Sequence, residues 1–259
     1  MFKFFYIKII VIVSKNYINF IIQVFDIFFI KVTYKTINIE KFLIHSSVNN
    51  LIFIQNNIKD KLNILNIPTI IAVSKRFGIS KIKPLIDYGH KHFGENQVKE
   101  ALEKWIEIKK NSKDIKIHMI GKLQTNKVKV ALQIFDYIHS VDSEKLAIKI
   151  AEEQVKQGKR PKIFIQLNLG REEQKSGIEK VKLFDFYNFC KNLSLDIIGT
   201  MCIPPNDENT ESYFSEMNKI NQENNFNELS MGMSADYISA IKNKATYIRI
   251  GSKIFGNRN

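Results

Sequence analysis

The sequence predicts an α/β protein built as a (β/α)8 barrel, with an extra helix ahead of the first strand. Three observations carry that prediction. From residue 69 onward, short β-type runs alternate with amphipathic stretches of ten to twenty residues, and the alternation occurs eight times. Parallel neighbours need a right-handed crossover, which a helix supplies, so regular alternation implies a parallel sheet. The residues able to do chemistry fall at the carboxyl ends of the strands, where the loops of such a fold converge. An open doubly wound sheet fits the same rhythm, and periodicity alone does not separate the two.

The elements follow in order. Val48, Leu51, Ile52, Ile54, Ile58 and Leu62 recur at helical spacing and give the leading helix. The first strand is Thr69–Ser74, followed by a helix near Ser80–Tyr88. Lys91–Phe93 is a short strand leading to a helix over Gln97–Lys109, and Lys116–Ile120 leads to a short helix around Asn126–Gln133. Tyr137–Ser140 is the fourth strand. Asp142 or Ser143 caps the helix Glu144–Gln157, and Gly158 ends it. Lys162–Leu167 precedes a helix over Ile178–Asn192, and Asp196–Thr200 a helix near Glu208–Gln222. Leu229–Met231 and Tyr247–Arg249 complete the set, with a helix Ala235–Lys242 between them.

Composition bounds the function. The chain has 259 residues, 44% of them hydrophobic, enough for a substantial core. Cys190 and Cys202 are the only cysteines, which excludes a disulfide-rich scaffold and a multi-cysteine metal site. The net charge is +13, yet 34 of the 39 basic residues are lysines, scattered among glutamates as in Lys99-Glu100 and Glu103-Lys104. Nucleic-acid binders cluster their charge and interleave arginine with aromatics, so dedicated nucleic-acid recognition is not expected. Residues 1–40 form a leader of a different character, rich in Phe, Ile and Tyr. Its longest uncharged apolar run, Ile9–Val13, is too short to span a bilayer. No small-residue cleavage site follows it, so it is not a signal peptide; a surface-lying or anchoring helix remains an alternative to an appended leader. A cytoplasmic, metal-free, monomeric globular protein occupying residues 41–259 is the expectation.

The strand ends point to chemistry. Lys75 follows the first strand. There a partly desolvated amine has a lowered pKa and can attack a carbonyl to give a Schiff base. The bland alternative is a strand-end lysine extending its ammonium into water. After the seventh and eighth strands, Gly232, Ser234, Gly251 and Ser252 offer close backbone approach and hydroxyls, and a helix opening at Ala235 aims N–H groups at an anion. Barrels bind phosphate at these loops. A Schiff-base lysine facing a phosphate cradle suits pyridoxal 5'-phosphate (PLP), and equally a phosphosugar aldolase.

Seven collinear motifs carry a resemblance. They are Ala-Val-Ser-Lys at 72–75, His-Phe-Gly-Glu-Asn at 92–96, His-Met-Ile-Gly-Lys-Leu-Gln-Thr-Asn-Lys at 118–127, Ile-His-Ser-Val-Asp-Ser at 138–143, Lys-Ser-Gly at 175–177, Ser-Met-Gly-Met-Ser-Ala-Asp at 230–236 and Arg-Ile-Gly-Ser-Lys-Ile-Phe-Gly at 249–256. Together they resemble the pyridoxal phosphate homeostasis proteins, whose fold is similar to the barrel domain of alanine racemase. The resemblance implies that Lys75 holds PLP as a Schiff base and that Ser234, Gly251 and Ser252 hold its phosphate. It places Asn96 on the ring side, Arg249 toward the pyridine nitrogen and Arg258 near the phosphate. An arginine does not readily give up a proton to that nitrogen, so the ring stays a poorer electron sink. Two departures from the family pattern stand out: Arg76-Phe77-Gly78 replaces the usual Thr-Lys-Pro, and the leader has no counterpart.

The resemblance further implies PLP homeostasis without significant turnover, with apo PLP-dependent enzymes as recipients. The alternative is an amino-acid racemase. Inversion at a stereocentre needs a base on each face, which the related racemases draw from a second domain. That domain is expected to be absent, because the chain stops at Asn259, and Tyr213, Tyr237 and Tyr247 are expected to be packing residues rather than substitutes.

Overall fold

The computed structural model describes residues 45–256 apart from 171–175, 206 and 208. The expected leader over residues 1–40 and Arg258 lie outside the described residues.

Eight parallel strands close into a barrel in chain order, with the last strand returning to the first. They are β1 (Thr69–Val73), β2 (His92–Glu95), β3 (Lys116–Met119), β4 (Tyr137–Val141), β5 (Lys162–Leu167), β6 (Asp196–Cys202), β7 (Glu228–Met233) and β8 (Tyr247–Ile250). The helices are α1 (Ser46–Leu62), α2 (Ile79–Asp87), α3 (Val98–Asn111), α4 (Val128–Ile134), α5 (Glu144–Gln157), α6 (Leu183–Asn192), α7 (Thr210–Glu223), α8 (Tyr237–Lys242) and α9 (Ser252–Phe255). Closure decides between the barrel and the open sheet. Ala72 pairs with both Phe93 on β2 and Ile250 on β8, so β1 has no free edge.

Alternation along each strand sends one set of side chains inward and the other to the helices. The outward set, including Ala72, Phe93, Ile117, Ile163, Ile165 and Ile248, joins the helices in the main core. Inside the barrel Ile71, Tyr137, Phe164, Met201 and Tyr247 form a second apolar cluster. Helix α1 packs on α2 and α9, and its Asn50 Nδ2 donates to the Ile254 carbonyl at 2.9 Å.

Several boundaries differ from the sequence expectation, each for a local reason. Strand β2 runs on through Gly94 and Glu95 because both pair with β3, at His118 and Met119. The helix expected from Ile178 begins at Leu183, after a 3-10 turn at Lys180–Lys182. Ile178 cannot open it, since its N–H and carbonyl bond to Gln166 and Asn168 as an extension of the sheet. The helix expected from Ala235 begins at Tyr237, because Asp236 Oδ1 accepts the Met233 N–H at 2.6 Å and holds Ser234 and Ala235 in a turn. Ser143 occupies the cap position of α5 without a side-chain bond, and Asp142 accepts the Gly177 N–H at 3.2 Å instead of capping.

The barrel interior is unusual in holding histidines. His118 and His139 are fully buried, and burial pushes both well below the ordinary histidine range. Burial lowers His90 to about 4 and also lowers His92. A base whose folded pKa lies below its unfolded one costs nothing above about pH 6.5, where both states are neutral. Below that, the unfolded chain binds protons that the folded one refuses. The unfolding free energy is therefore expected to be flat above about pH 6.5 and to fall below it, each histidine adding up to about 1.4 kcal/mol per pH unit. Urea unfolding between neutral pH and about pH 5 checks this; a flat profile there would contradict the burial of these rings.

Candidate functional site

The carboxyl ends of the strands bring most of the expected residues to one mouth. Lys75 sits two residues beyond β1 and is half-buried. Because β1 lies between β2 and β8, Lys75 is flanked by Asn96, the first residue after β2, and by Gly251, the first after β8. A Cβ placed on Gly251 would lie 3.4 Å from Val73 Cβ, so the β8 loop closes directly against the end of β1. Ser234, the first residue after β7, accepts the Gly251 N–H on its Oγ at 3.3 Å and ties the last two loops together. Gly232 allows the turn that delivers Ser234, since its φ of +89° lies in the left-handed region. Ser252 opens α9 beside them and is exposed.

Asn96 is set by close approach. A Cβ on Gly121 would fall 2.6 Å from the Asn96 carbonyl oxygen, so no other residue fits at 121 without moving Asn96. A cleft of about 470 Å³ opens beside Asn96, lined by Gln97, Met119, Lys122, Gln124 and Lys127 among others.

Arg249 is the interior residue of the set, on β8 and only 4% exposed. Its Nη1 donates to Ser230 Oγ at 2.8 Å and its Nη2 to the Cys202 carbonyl at 2.9 Å. Burial lowers the guanidinium from its ordinary range, an effect the neighbouring Cys202 and Asp236 oppose. The Cys202 thiol is pushed up to about 12 by burial, so it stays neutral beneath the arginine.

The loop carrying Lys75 is pinned on both sides by residues the sequence reading did not single out. Glu95, fully buried on β2, accepts on Oε1 from Ser74 Oγ at 2.7 Å, Lys104 Nζ at 2.8 Å and Trp105 Nε1 at 3.0 Å. Lys104 Nζ also donates to the Ser74 carbonyl at 2.8 Å and pairs with Glu100 at 2.8 Å. Glu100 in turn accepts the Arg76 N–H. One lysine on α3 thus holds the residues before and after Lys75 through two carboxylates. Arg76 adopts φ +64°, a left-handed conformation that this network holds in place. Burial pushes the Glu95 carboxyl up, opposed by Lys104, Ser74 and Trp105, and its Oε2 is without a hydrogen-bond partner among the described residues. The only advance signal was Glu95 within the His-Phe-Gly-Glu-Asn motif; nothing in α3 marked Lys104.

Two of the three tyrosines weighed as bases are occupied elsewhere. Tyr237 OH accepts from Asn57 Nδ2 at 2.6 Å, and Lys253 lies over its ring. Tyr247 is buried against Tyr137 inside the barrel, and burial raises its hydroxyl well above the phenol range. Tyr213 lies along α7.

The donors therefore stand in a definite order around the mouth: an amine at Lys75, a hydroxyl and backbone cradle at Ser234 and Gly251, and a buried guanidinium below. A family model described as the alanine racemase N-terminal domain matches residues 50–259 of this chain. The chain is similar to the pyridoxal phosphate homeostasis protein of Aquifex aeolicus, 35% identical over 203 residues that cover 74% of this chain and 88% of the relative. It is 33% identical to the protein of that name from Haemophilus influenzae, over 82% of this chain and 95% of the relative. The structure of PipY from Synechococcus elongatus PCC7942 with PLP bound matches with a TM-score of 0.72 and 31% identity, covering 81% of this chain and 100% of that one. The chain belongs to the pyridoxal phosphate homeostasis protein family, a branch of the alanine racemase barrel domain.

Replacing Lys104 by Met leaves Glu95 buried without its cation. The expected cost is about 3–5 kcal/mol in urea unfolding, the range for breaking one partner out of a buried pair. Amide hydrogen exchange at Ser74 and Arg76 is expected to rise relative to the rest of the sheet. Unchanged exchange there would show that Lys104 does not hold the loop.

Proposed function

We propose that this chain binds pyridoxal 5'-phosphate for cofactor homeostasis, with Lys75 as the point of attachment and no significant turnover. The observation that carries the reading is the position of Lys75 between Asn96 on one side and the Ser234–Gly251 cradle on the other, above the buried Arg249. The donor set fits the group: an amine for an aldehyde, hydroxyls and a backbone amide for a phosphate, and a cation for the ring edge. The similarity to PipY, whose structure holds PLP, and the name shared by the relatives support the same reading.

When bound, PLP would supply an aldehyde, the group that a neutral amine attacks. Lys75 provides that amine from a loop fixed on both flanks. Ser234, Gly251 and Ser252 would hold the phosphate, Arg258 is expected there from the family resemblance alone, and Asn96 would lie on the ring side. Arg249 would face the ring nitrogen as a donor that keeps its own proton, which would leave the ring weakly electron-withdrawing. That electronic setting favours holding the cofactor over carbanion chemistry. The occupation of Tyr237 and Tyr247 by packing and hydrogen bonds weighs against their serving as a second base. Transfer of the cofactor to apo PLP-dependent enzymes belongs to the same reading, as do a monomeric state, a cytoplasmic location and no dedicated nucleic-acid partner. No helix among the described residues is long and apolar enough to cross a membrane.

The test is the absorption spectrum of the purified protein with PLP, before and after borohydride. A visible band that reduction fixes on Lys75, and that Lys75→Ala no longer fixes covalently, is the expected result. Incubation with L-alanine in deuterated water is expected to leave the Cα hydrogen in place. A protein that stays colourless with added PLP would overturn the cofactor reading, and exchange at Cα would replace the carrier with a racemase.

A further inference from the structure

Three histidines on adjacent strands are joined end to end inside the barrel. His92 Nδ1 lies 2.9 Å from His118 Nε2, and His118 Nδ1 lies 2.9 Å from His139 Nε2. His139 Nδ1 lies 2.9 Å from Ser230 Oγ, which receives Arg249 Nη1 at 2.8 Å. The series runs from His92, half-buried at the first residue of β2, to the arginine of the proposed cofactor site. None of the histidines belongs to that site. We infer that Arg249, acting through Ser230, sets His139, His118 and His92 in one tautomeric register, forming a directed hydrogen-bond chain that a proton taken up by His92 reverses.

The direction follows from donors and acceptors. A guanidinium only donates, so Ser230 Oγ accepts from Arg249. The only hydrogen-bond partners of Ser230 Oγ among the described residues are Arg249 and His139. Its hydroxyl hydrogen therefore goes to His139 Nδ1; otherwise a buried O–H is left without an acceptor. A neutral imidazole that accepts at Nδ1 carries its proton at Nε2. His139 Nε2–H then donates to His118 Nδ1, and His118 Nε2–H to His92 Nδ1. The deep burial that keeps His118 and His139 neutral is what makes each of them carry a single proton.

Reversal needs one added proton. When His92 carries protons on both nitrogens, its Nδ1–H donates to His118 Nε2. His118 and His139 each keep one proton but hold it at Nδ1, and His139 Nδ1–H points at Ser230. Ser230 keeps its hydroxyl hydrogen, now without its histidine acceptor, and its oxygen is shared between two donors. Arg249 is thereby held less firmly, and the effect of that on a bound cofactor rests on the function proposed above. His92 is the entry point because it alone of the three is not fully buried. It faces Lys116 on β3, Lys91 ahead of β2, and Asp136 ahead of β4, with the rings of His118 and Tyr137 beside it and His90 Nε2 on its carbonyl. Burial opposes uptake most, the lysines add to that, and Asp136 favours it, although Lys109 on α3 ties Asp136 at 2.6 Å.

The experiment is long-range ¹H–¹⁵N NMR of the histidine rings in the full chain without cofactor, at about pH 7.5 and at the lower pH where the His92 ring itself shows protons on both nitrogens; a His92 that stays singly protonated until the protein unfolds overturns the reversal. At the higher pH, His118 and His139 are expected to show protonated Nε2 and bare Nδ1. At the lower pH, both are expected to shift their single ring proton from Nε2 to Nδ1 while staying neutral. His92→Gln offers His118 an oxygen acceptor and takes up no proton, so it is expected to keep the first pattern at both pH values. Protonated Nδ1 on His139 at the higher pH overturns the direction. An unchanged His139 at the lower pH, or a change that persists in His92→Gln, overturns the reversal. Borohydride fixation at Lys75 is read separately, so a protein that still binds PLP there while failing these tests sinks the chain and leaves the cofactor reading intact.

Discussion

A guanidinium sealed inside a barrel offers only donors and keeps its proton, so the structure around Arg249 has to supply acceptors or forfeit its burial. The Cys202 carbonyl at the end of β6 and Ser230 Oγ on β7 meet that demand. Cys202 is the last residue of β6, paired with Leu167 of β5. Ser230 comes with a hydroxyl hydrogen that needs its own acceptor, which brings His139 into the interior, and His118 and His92 after it. A polar column therefore occupies the centre of a barrel that would otherwise be filled by branched aliphatic side chains. Tyr137 stacks on His118 and Phe164 on His139, so the column is walled by aromatic faces rather than by water.

A second network does for Lys75 what the column does for Arg249, on the other side of the sheet. Glu95 points between β2 and α3, where Lys104, Trp105 and Ser74 converge on one of its oxygens. Lys104 is shared with Glu100, so the cation faces two carboxylates and the surplus negative charge is spread over a backbone N–H at Arg76. Buried ion pairs bring little net stability, because desolvation offsets their attraction. Their use here is geometric. They hold a left-handed residue next to the lysine and fix where its main chain leaves the barrel.

How much of this the sequence revealed depends on the range of the interaction. Strand β5 and helix α5 were legible to the residue, because an alternating or 3.6-residue pattern and the glycine at 158 are local signals. Lys75, Asn96, Ser234, Arg249, Gly251 and Ser252 were expected from position and from motifs; five of them follow the ends of β1, β2, β7 and β8 within two residues, and Arg249 lies on β8 itself. Lys104 was not, since a lysine on a helix rich in lysine and glutamate looks like any solvated one until α3 is packed on β2. The histidines were visible inside quoted motifs, yet their end-to-end contact depends on strand register, which no single motif encodes. The boundary at Leu183 was displaced by bonds of Ile178 to Gln166 and Asn168, twelve and ten residues back, whereas the one at Tyr237 was set locally, by Asp236 accepting the Met233 N–H.

Barrel closure is what turns these separate loops into one site. Residues 75 and 251 stand at opposite ends of the domain in sequence, and they meet only because β8 pairs with β1, with Thr69 to Ala72 in register with Tyr247 to Ile250. An open doubly wound sheet would take the same eight strands and helices with the same amphipathic faces. Its first and last strands would have no reason to touch, and the amine would be parted from the hydroxyl cradle. The closed order also stacks Arg249 beside Ile71, two residues inside the barrel from the end of β1. The guanidinium thus lies under the mouth that Lys75 and Gly251 share. The periodicity of the sequence is indifferent to this choice, whereas the chemistry proposed for the site requires it.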